Sequence, residues 1–345
     1  LPDLSILDLV SVRENTLPAH AFGESLAFAQ HAESLGCRRY WVAEHHNMTG
    51  IASAATSVVI GYLAGGTQSI RVGSGGIMLP NHSPLQVAEQ FGTLESLYPG
   101  RVDLGLGRAP GTDQITAQAM RRDLRAAAER FPDDVVELRT LFEHPEPNQT
   151  IQAVPGSGLN VPLWILGSSL FGAQLAAQLG LPYAFASHFA PDALDQALSV
   201  YRYQFRPSSQ MAEQHAMPCV NVVIADTDEE ALYHLTSLQQ MFTNMIRGQR
   251  GLMPVAIDTI DDFWSPVEKS HVERMLACTF AGSSDTVSDK LSQFLAHTDA
   301  DELMVSTPVF DQSARKKSLN LLVETGLFGS SDTIVSLKTA DPIDR

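Results

Sequence analysis

A few histidines, one arginine and two short runs of small residues hold the groups in this sequence that are able to do chemistry. Glu44-His45-His46-Asn47 sets a carboxylate beside two imidazoles, His82 follows Leu79-Pro80-Asn81, and His188 follows Tyr183 to Ser187. Imidazole titrates near neutrality, so each ring suits proton transfer if it faces a cavity and is merely structural if a core wall satisfies it. Arg108 follows Gly105-Leu106-Gly107 and precedes Ala109-Pro110-Gly111-Thr112. One fixed cation among small residues suits an anion seat, and an ordinary surface arginine looks the same. Gly75-Gly76 removes two side chains from an apolar run, leaving room for a flat ring against the backbone or marking a bulge. Gly167-Ser168-Ser169 leads into a helical pattern, where donors face an anion or a serine simply caps.

These groups recur at the ends of short apolar runs. Leu4 to Val10, Tyr40 to Ala43, Val72 to Leu79, Arg101 to Gly107, Val161 to Leu166, Tyr183 to Ser187, Pro218 to Ala225 and Glu302 to Ser306 read as strands. Helical patterns separate them: Ala21 to Leu35 stopped by Gly36, Ile51 to Ala64, a helix opened by Ser83-Pro84-Leu85-Gln86 as a capping box, and a helix-rich Thr112 to Phe142 broken at Pro132. Glu143 to Gly158, with three prolines, reads as an excursion. Further helices follow Ser169, run from Pro191 to Phe205, and occupy Ser283 to Ala296 and Ser313 to Leu327. Thr227 to Glu230 has the pattern of a second capping box, and residues 231–275 are helical but interrupted near Gly248, Gly251 and Pro254. That irregularity motivates an insertion or lid, with Gly248 to His271 closing over the substrate, and the tail 328–345 is expected to wrap or fray.

Eight alternations without a low-complexity linker, in 345 residues of which 44% are hydrophobic, describe one (β/α)8 TIM barrel as a single domain. Its active site is expected at the carboxyl ends of the strands, where every group named above falls. A net charge of -16 and a pI near 5.0 argue against nucleic acid or an anionic membrane as partner, since both need clustered cations and this chain offers only pairs such as Arg38-Arg39, Arg121-Arg122 and Lys316-Lys317. Cys37, Cys219 and Cys278 lack metal-ligand spacing and do not form a secreted disulfide framework. A cytoplasmic location is expected, and the residues from Leu1 show no signal-sequence pattern.

Taken together, Ala43-Glu44-His45-His46, VGSGGIMLPNHSPLQVAEQ, YPGRVDLGLGRAPG and LGSS resemble the bacterial luciferase-like monooxygenase family, in its group of single-chain oxidoreductases. The resemblance spans most of the chain and is most specific in the first half. It implies a barrel binding reduced FMN or, in some members, the deazaflavin F420, commonly as a dimer. It further implies a separate flavin reductase, O2, and a flavin peroxide that oxidises a small organic substrate. By the same resemblance His45 is the proton-transfer histidine, and Gly75-Gly76 carries a non-proline cis peptide beneath the isoalloxazine. Arg108 with Gly167, Ser168 and Ser169 takes the phosphate, while His46 reads as structural, Glu44 either orients one of the adjacent rings or makes an ordinary structural pair, and His82 and His188 are substrate-side candidates or structural loop residues. Gly107 stands where luciferase carries a reactive cysteine, and Phe171 lies near a family phosphate-binding hydroxyl; both weigh against luminescence with long-chain aldehydes.

Other readings use the same residues less fully. A metal-dependent hydrolase would recruit His45, His46, His82 and His188, but the first strand end, Leu7-Asp8-Leu9-Val10, lacks a paired-histidine ligand motif and no acidic cluster completes a site, and no metal is expected. Gly105-Leu106-Gly107 is too short for a dinucleotide fingerprint. A non-catalytic flavin-binding or flavin-storage protein on the same fold would leave His45 dispensable.

Overall fold

The computed structural model describes residues 1–109, 113–120 and 123–329. Its strands are β1 (Asp3–Asp8), β2 (Arg39–Val42), β3 (Arg71–Met78), β4 (Val102–Gly107), β5 (Leu163–Gly167), β6 (Tyr183–Phe185), β7 (Ala216–Ile224), β8 (Thr279–Gly282) and β9 (Glu302–Ser306). All pair in parallel. Strands β1 to β7 run in sequence order around the wall, β6 pairs with β7, and β9 closes the ring between β7 and β1. The expected (β/α)8 barrel is therefore present, with eight strands in the ring.

One strand was not expected. The four residues of β8 pair only with the upper half of β7, Asn221 to Ile224, while β9 takes its lower half, Cys219 to Asn221. Four residues that alternate half-buried with buried are too short a run to announce a strand by periodicity. Strand β8 belongs to the excursion after β7, following helices Asp228–Ile246 and Pro266–Met275. The connecting segment 247–265 is stitched to the loops above β1 and β2. Met253 N–H donates to Val12 O at 2.9 Å, Glu14 N–H donates to Met253 O at 2.9 Å, and Val255 N–H reaches Glu14 Oε2.

Local helix signals were partly misread. Pro132 lies in the first turn of helix Phe131–Phe142, where its missing N–H has no intrahelical partner to lose; the helix before it ends at Glu129, so the expected break falls just ahead of the proline. Ser83 occupies the N-cap of Pro84–Leu97 without a side-chain cap bond, so that capping box does not form. Thr227 Oγ1 accepts from Glu230 N–H, but the Glu230 carboxylate accepts from Asp226 N–H, one residue earlier than a reciprocal box requires. Ser265 and Glu268 form the complete box. The loop residues 110–112, the pair Arg121-Arg122 and the tail from 330 onward lie outside the described residues.

Inside the barrel the amino-terminal layer is ionic. Arg39 donates to Asp103 at 2.8 Å and to Glu302 at 2.7 Å; Arg71 adds a second donor to Asp103 at 2.6 Å. Ser5 and His215 complete Glu302, and the Arg39 guanidinium lies 4.7 Å over the Trp164 ring. Burial would raise the Asp103 carboxyl, yet the two arginines outweigh it and hold it below the usual range. Above this layer Leu7, Trp41, Trp164, Met217, Cys219 and Met304 form an apolar floor, with Trp41 edge-on to Trp164 at 5.1 Å. Towards the carboxyl ends the wall thins to glycine at Gly75 and Gly107.

Candidate functional site

The carboxyl end of β2 turns its acid inward. Glu44 is fully buried and its carboxylate gathers groups from the ends of two strands: His46 Nε2 at 2.6 Å, His82 Nε2 at 2.9 and 3.0 Å, Asn81 Nδ2 at 3.3 Å and Met78 N–H at 2.9 Å. Glu44 N–H in turn donates to Gly76 O. Glu44 thus holds His46 and His82, and ties the β2 loop to the β3 loop. Loss of water around the carboxyl acts upward, but donation from His46, His82 and Met78 dominates and holds its pKa at about 2.

At the end of β3 the Gly75–Gly76 peptide is cis, and the β3–β4 register shifts between Ser74 and Ile77. A Cβ on Gly75 would stand 2.8 Å from Leu7 Cδ1, and one on Gly76 would stand 2.7 Å from Gly105 O. Neither position accepts a side chain without displacing the floor or the neighbouring strand. Bulge and bare backbone, weighed as alternatives, occur at the same two residues.

Because β4 and β5 pair in register from Leu104 to Gly107, Arg108 emerges beside Ser168-Ser169. Its guanidinium stacks 4.0 Å over the ring of Phe171, the second residue of helix Leu170–Leu179. Ser169 is the N-cap of that helix, but its hydroxyl makes no cap bond, and Ser168 is exposed. A cation, two exposed hydroxyls and the N–H groups of a helix start therefore converge, the donor set an anion requires. Phe171, noticed in the sequence only as a departure, anchors the arginine through its π face.

His45 and His188 face the same end from β2 and β6, both half-buried. Burial, with the nearby His45 adding to it, lowers the His188 ring to about 4. Over the mouth, Arg250 from segment 247–265 pairs with Asp113 at 2.8 Å and donates to Asn47 O at 3.3 Å, while Asn47 Nδ2 donates to Thr116 Oγ1. No sequence pattern foretold this latch, since its partners lie far apart along the chain.

With that geometry in view, the luciferase-like monooxygenase family model matches residues 3–301. The chain belongs to that family. A luciferase-like monooxygenase of Escherichia coli strain K12 is 52% identical over 320 residues, covering 93% of this chain and 96% of the relative. The crystal structure of apo-MsnO8 has a TM-score of 0.87 at 33% identity, covering 96% of this chain and all of that one. The oxygenating constituent of 3,6-diketocamphane monooxygenase from Pseudomonas putida, a type II Baeyer-Villiger monooxygenase solved in complex with FMN, has a TM-score of 0.70 and covers 96% of this chain and 99% of its own. At 16% identity it is alike in fold alone.

Glu44, His46 and His82 also place three potential metal-ligand atoms within 4.8 Å of one another, a cluster that sequence spacing did not reveal. Both ring nitrogens are already at hydrogen-bond distance from the one carboxylate, so the clamp is complete without a cation. Glu44→Gln is expected to lower stability by about 1–3 kcal/mol by removing charge-assisted bonds from buried partners. Because the folded pKa is depressed, the Glu44 contribution is whole above its ordinary value of 4.5 and is lost as pH falls towards about 2. Melting temperature against pH for both proteins tests this, and curves with and without EDTA are expected to superimpose; loss of stability with EDTA would assign the cluster to a metal.

Proposed function

We propose that the chain is a monooxygenase that uses reduced FMN and O2 to oxidise a small organic substrate, with the reduced flavin delivered by a separate reductase. The observation that carries this reading is the convergence of Arg108, Ser168 and Ser169 at a helix start, beside the bare Gly75–Gly76 backbone and at the same barrel end as His45. The donor set matches a terminal phosphate, and the side-chain-free strand end matches a flat ring. When bound, reduced flavin supplies the electrons that activate oxygen.

The chain's own residues bind, orient and shield. Arg108 meets the phosphate while Phe171 keeps the guanidinium plane in place; Ser168 and Ser169 add hydroxyl and backbone donors. His45 moves a proton at the reacting centre. The Trp41, Trp164 and Met304 floor keeps water out from below, and segment 247–265, latched through Arg250, acts as the lid above. FMN is preferred over F420 because the acidic chain offers no cationic track for a longer anionic tail. No helix among the described residues is long and apolar enough to cross a membrane, and a cytoplasmic enzyme remains our assignment.

Arg108→Ala is expected to weaken reduced-FMN binding by about 10- to 100-fold, the value of charge-assisted bonds to a phosphate. Isothermal titration under anaerobic conditions measures this, and unchanged affinity would place the phosphate elsewhere. A homodimer is also part of this reading, as the family resemblance implies, and Val58, Tyr62 and Leu97 stand exposed on helices Thr56–Gly66 and Pro84–Leu97. Sedimentation should give twice the chain mass, and a monomer would remove that assignment.

The deciding experiment is anaerobic titration with reduced FMN, reduced F420 and NADPH in turn, followed by admission of oxygen with absorbance recorded. Tight binding of reduced FMN, then a persistent spectrum distinct from both reduced and oxidised flavin, supports the monooxygenase. Binding without altered oxygen reactivity would favour a flavin-storage protein.

A further inference from the structure

We infer that Glu44 is the positioning residue for the strand end on which the flavin ring lies, its carboxylate standing in for the strand pairing that β2 no longer supplies. The inference rests on the monooxygenase reading above and assigns a residue within it. The β2–β3 ladder ends at Val42 and Ser74, whereas β3 continues through Gly75, Gly76 and Ile77 to Met78. One edge of that extension is paired, since Ile77 and Met78 resume the register with Leu106 and Gly107 of β4 after the shift at Ser74. On the β2 edge Glu44 takes over. Its N–H donates to Gly76 O at 3.4 Å and its Oε2 accepts from Met78 N–H at 2.9 Å, so one residue brackets Gly76 to Met78 as a parallel strand would.

The carboxylate is itself held in place to do so. Glu44 is fully buried; its Oε1 meets His46 Nε2 at 2.6 Å, Asn81 Nδ2 at 3.3 Å and His82 Nε2 at 2.9 Å. Two rings and an amide fix the carboxylate, and the carboxylate fixes Met78. The strand end has little packing of its own, because Gly75 and Gly76 carry no side chains and a Cβ on Gly76 would stand 2.7 Å from Gly105 O. Bare backbone receives a flat ring only where that backbone is held still. Arg108 is held from the other side, by the β4–β5 register and the face of Phe171. Glu44 thus serves the ring end of the cofactor and leaves the phosphate end to Arg108. What it supplies there is reach: a glutamine oxygen arrives at Met78 N–H equally well, while aspartate keeps the charge and falls one methylene short.

Reduced riboflavin, which has the ring and no phosphate, and reduced FMN separate the two ends in anaerobic titrations of the parent, Glu44→Asp, Glu44→Gln and Arg108→Ala. Glu44→Asp is expected to lower affinity for both flavins by the same factor, about tenfold or more. Glu44→Gln, for all its loss of stability, should stay within about threefold of the parent for both. Arg108→Ala should lose FMN affinity and keep that for riboflavin. Hydrogen–deuterium exchange of the flavin-free proteins supplies a second measurement. The Met78 amide should exchange at least about tenfold faster in Glu44→Asp than in the parent or Glu44→Gln, with the Val72 amide, bonded to Arg101 O, unchanged. Riboflavin affinity in Glu44→Asp equal to the parent's, a glutamine variant as weak as the aspartate one, or unchanged Met78 exchange in Glu44→Asp would overturn the proposal. Failure of the parent to bind either flavin would strike the cofactor reading instead, and Met78 exchange, which needs no flavin, would still decide whether Glu44 holds the strand end.

Discussion

Replacing His45 with asparagine is expected to lower turnover by about two to four orders of magnitude, the usual contribution of a positioned proton-transfer group, while reduced FMN still binds with nearly unchanged affinity. The separation follows from the geometry. Arg108, Ser168 and Ser169 lie at the ends of β4 and β5, whereas His45 stands on the β2 loop beside His188. Removing the imidazole takes away the proposed proton carrier and leaves Arg108, Ser168 and Ser169 in place. The measurement is turnover on the first substrate found, paired with anaerobic FMN titration of the same variant. Full turnover in the variant would leave the flavin-storage reading in possession of the site, and joint loss of turnover and FMN affinity would make His45 a binding residue.

Asp103→Ala is expected to cost about 3–5 kcal/mol of stability, because it breaks a buried ion pair from one side and strands the other charge. Asp103 is fully buried and receives Arg39, Arg71 and the Trp41 indole N–H. After its removal Arg39 keeps Glu302 and the Trp164 face, and Arg71 keeps the backbone carbonyls of Gly100 and Val102. Urea unfolding followed by tryptophan fluorescence reads the change directly, since Trp41 and Trp164 contact Asp103 and Arg39 from the floor above. The acid limb should move with it. Asp103 and Glu302 are both held below the ordinary carboxyl range, so the stability they contribute is whole above that range and is lost as pH falls through their folded values. A variant as stable as the parent, with the same acid limb, would show that the ionic layer is replaceable packing.

Much of the architecture was legible because strands buried on both faces leave compact apolar runs and helix ends leave glycine and proline. Strands β1 to β7 and β9 each announced themselves within a few residues of their ends. Strand β8 did not, since Thr279–Gly282 is short and pairs only with the upper half of β7. The capping signals were less dependable: Ser83 matched the pattern and makes no cap bond, while Ser265 and Glu268 make the full box. A cap depends on how the chain enters the helix, and tertiary contacts set that entry.

The site divides along the same line. Resemblance marked Gly75-Gly76, and the cis peptide is there; it also marked Arg108 and Ser168-Ser169, which follow the neighbouring strands β4 and β5 at the same barrel end. The partners of Glu44 were not readable in that way. Adjacent histidines in sequence suggested that Glu44 orients a ring beside it, but the carboxylate reaches across to His82, Asn81 and Met78 on the next loop.

By itself, the sequence determined the order of the elements, the closed parallel barrel and the end at which polar groups collect, because these follow from local periodicity, chain connectivity and the handedness of βαβ units. Only the tertiary structure decided which side chains share a carboxylate, that Phe171 carries the Arg108 guanidinium, that Arg250 latches to Asp113 over the mouth, and that Glu44 bonds the end of β3 beyond the β2 ladder. Hydrogen bonds and ion pairs act over a few ångströms in space, and residues as distant along the chain as Asp113 and Arg250 come within that reach only after the barrel has closed.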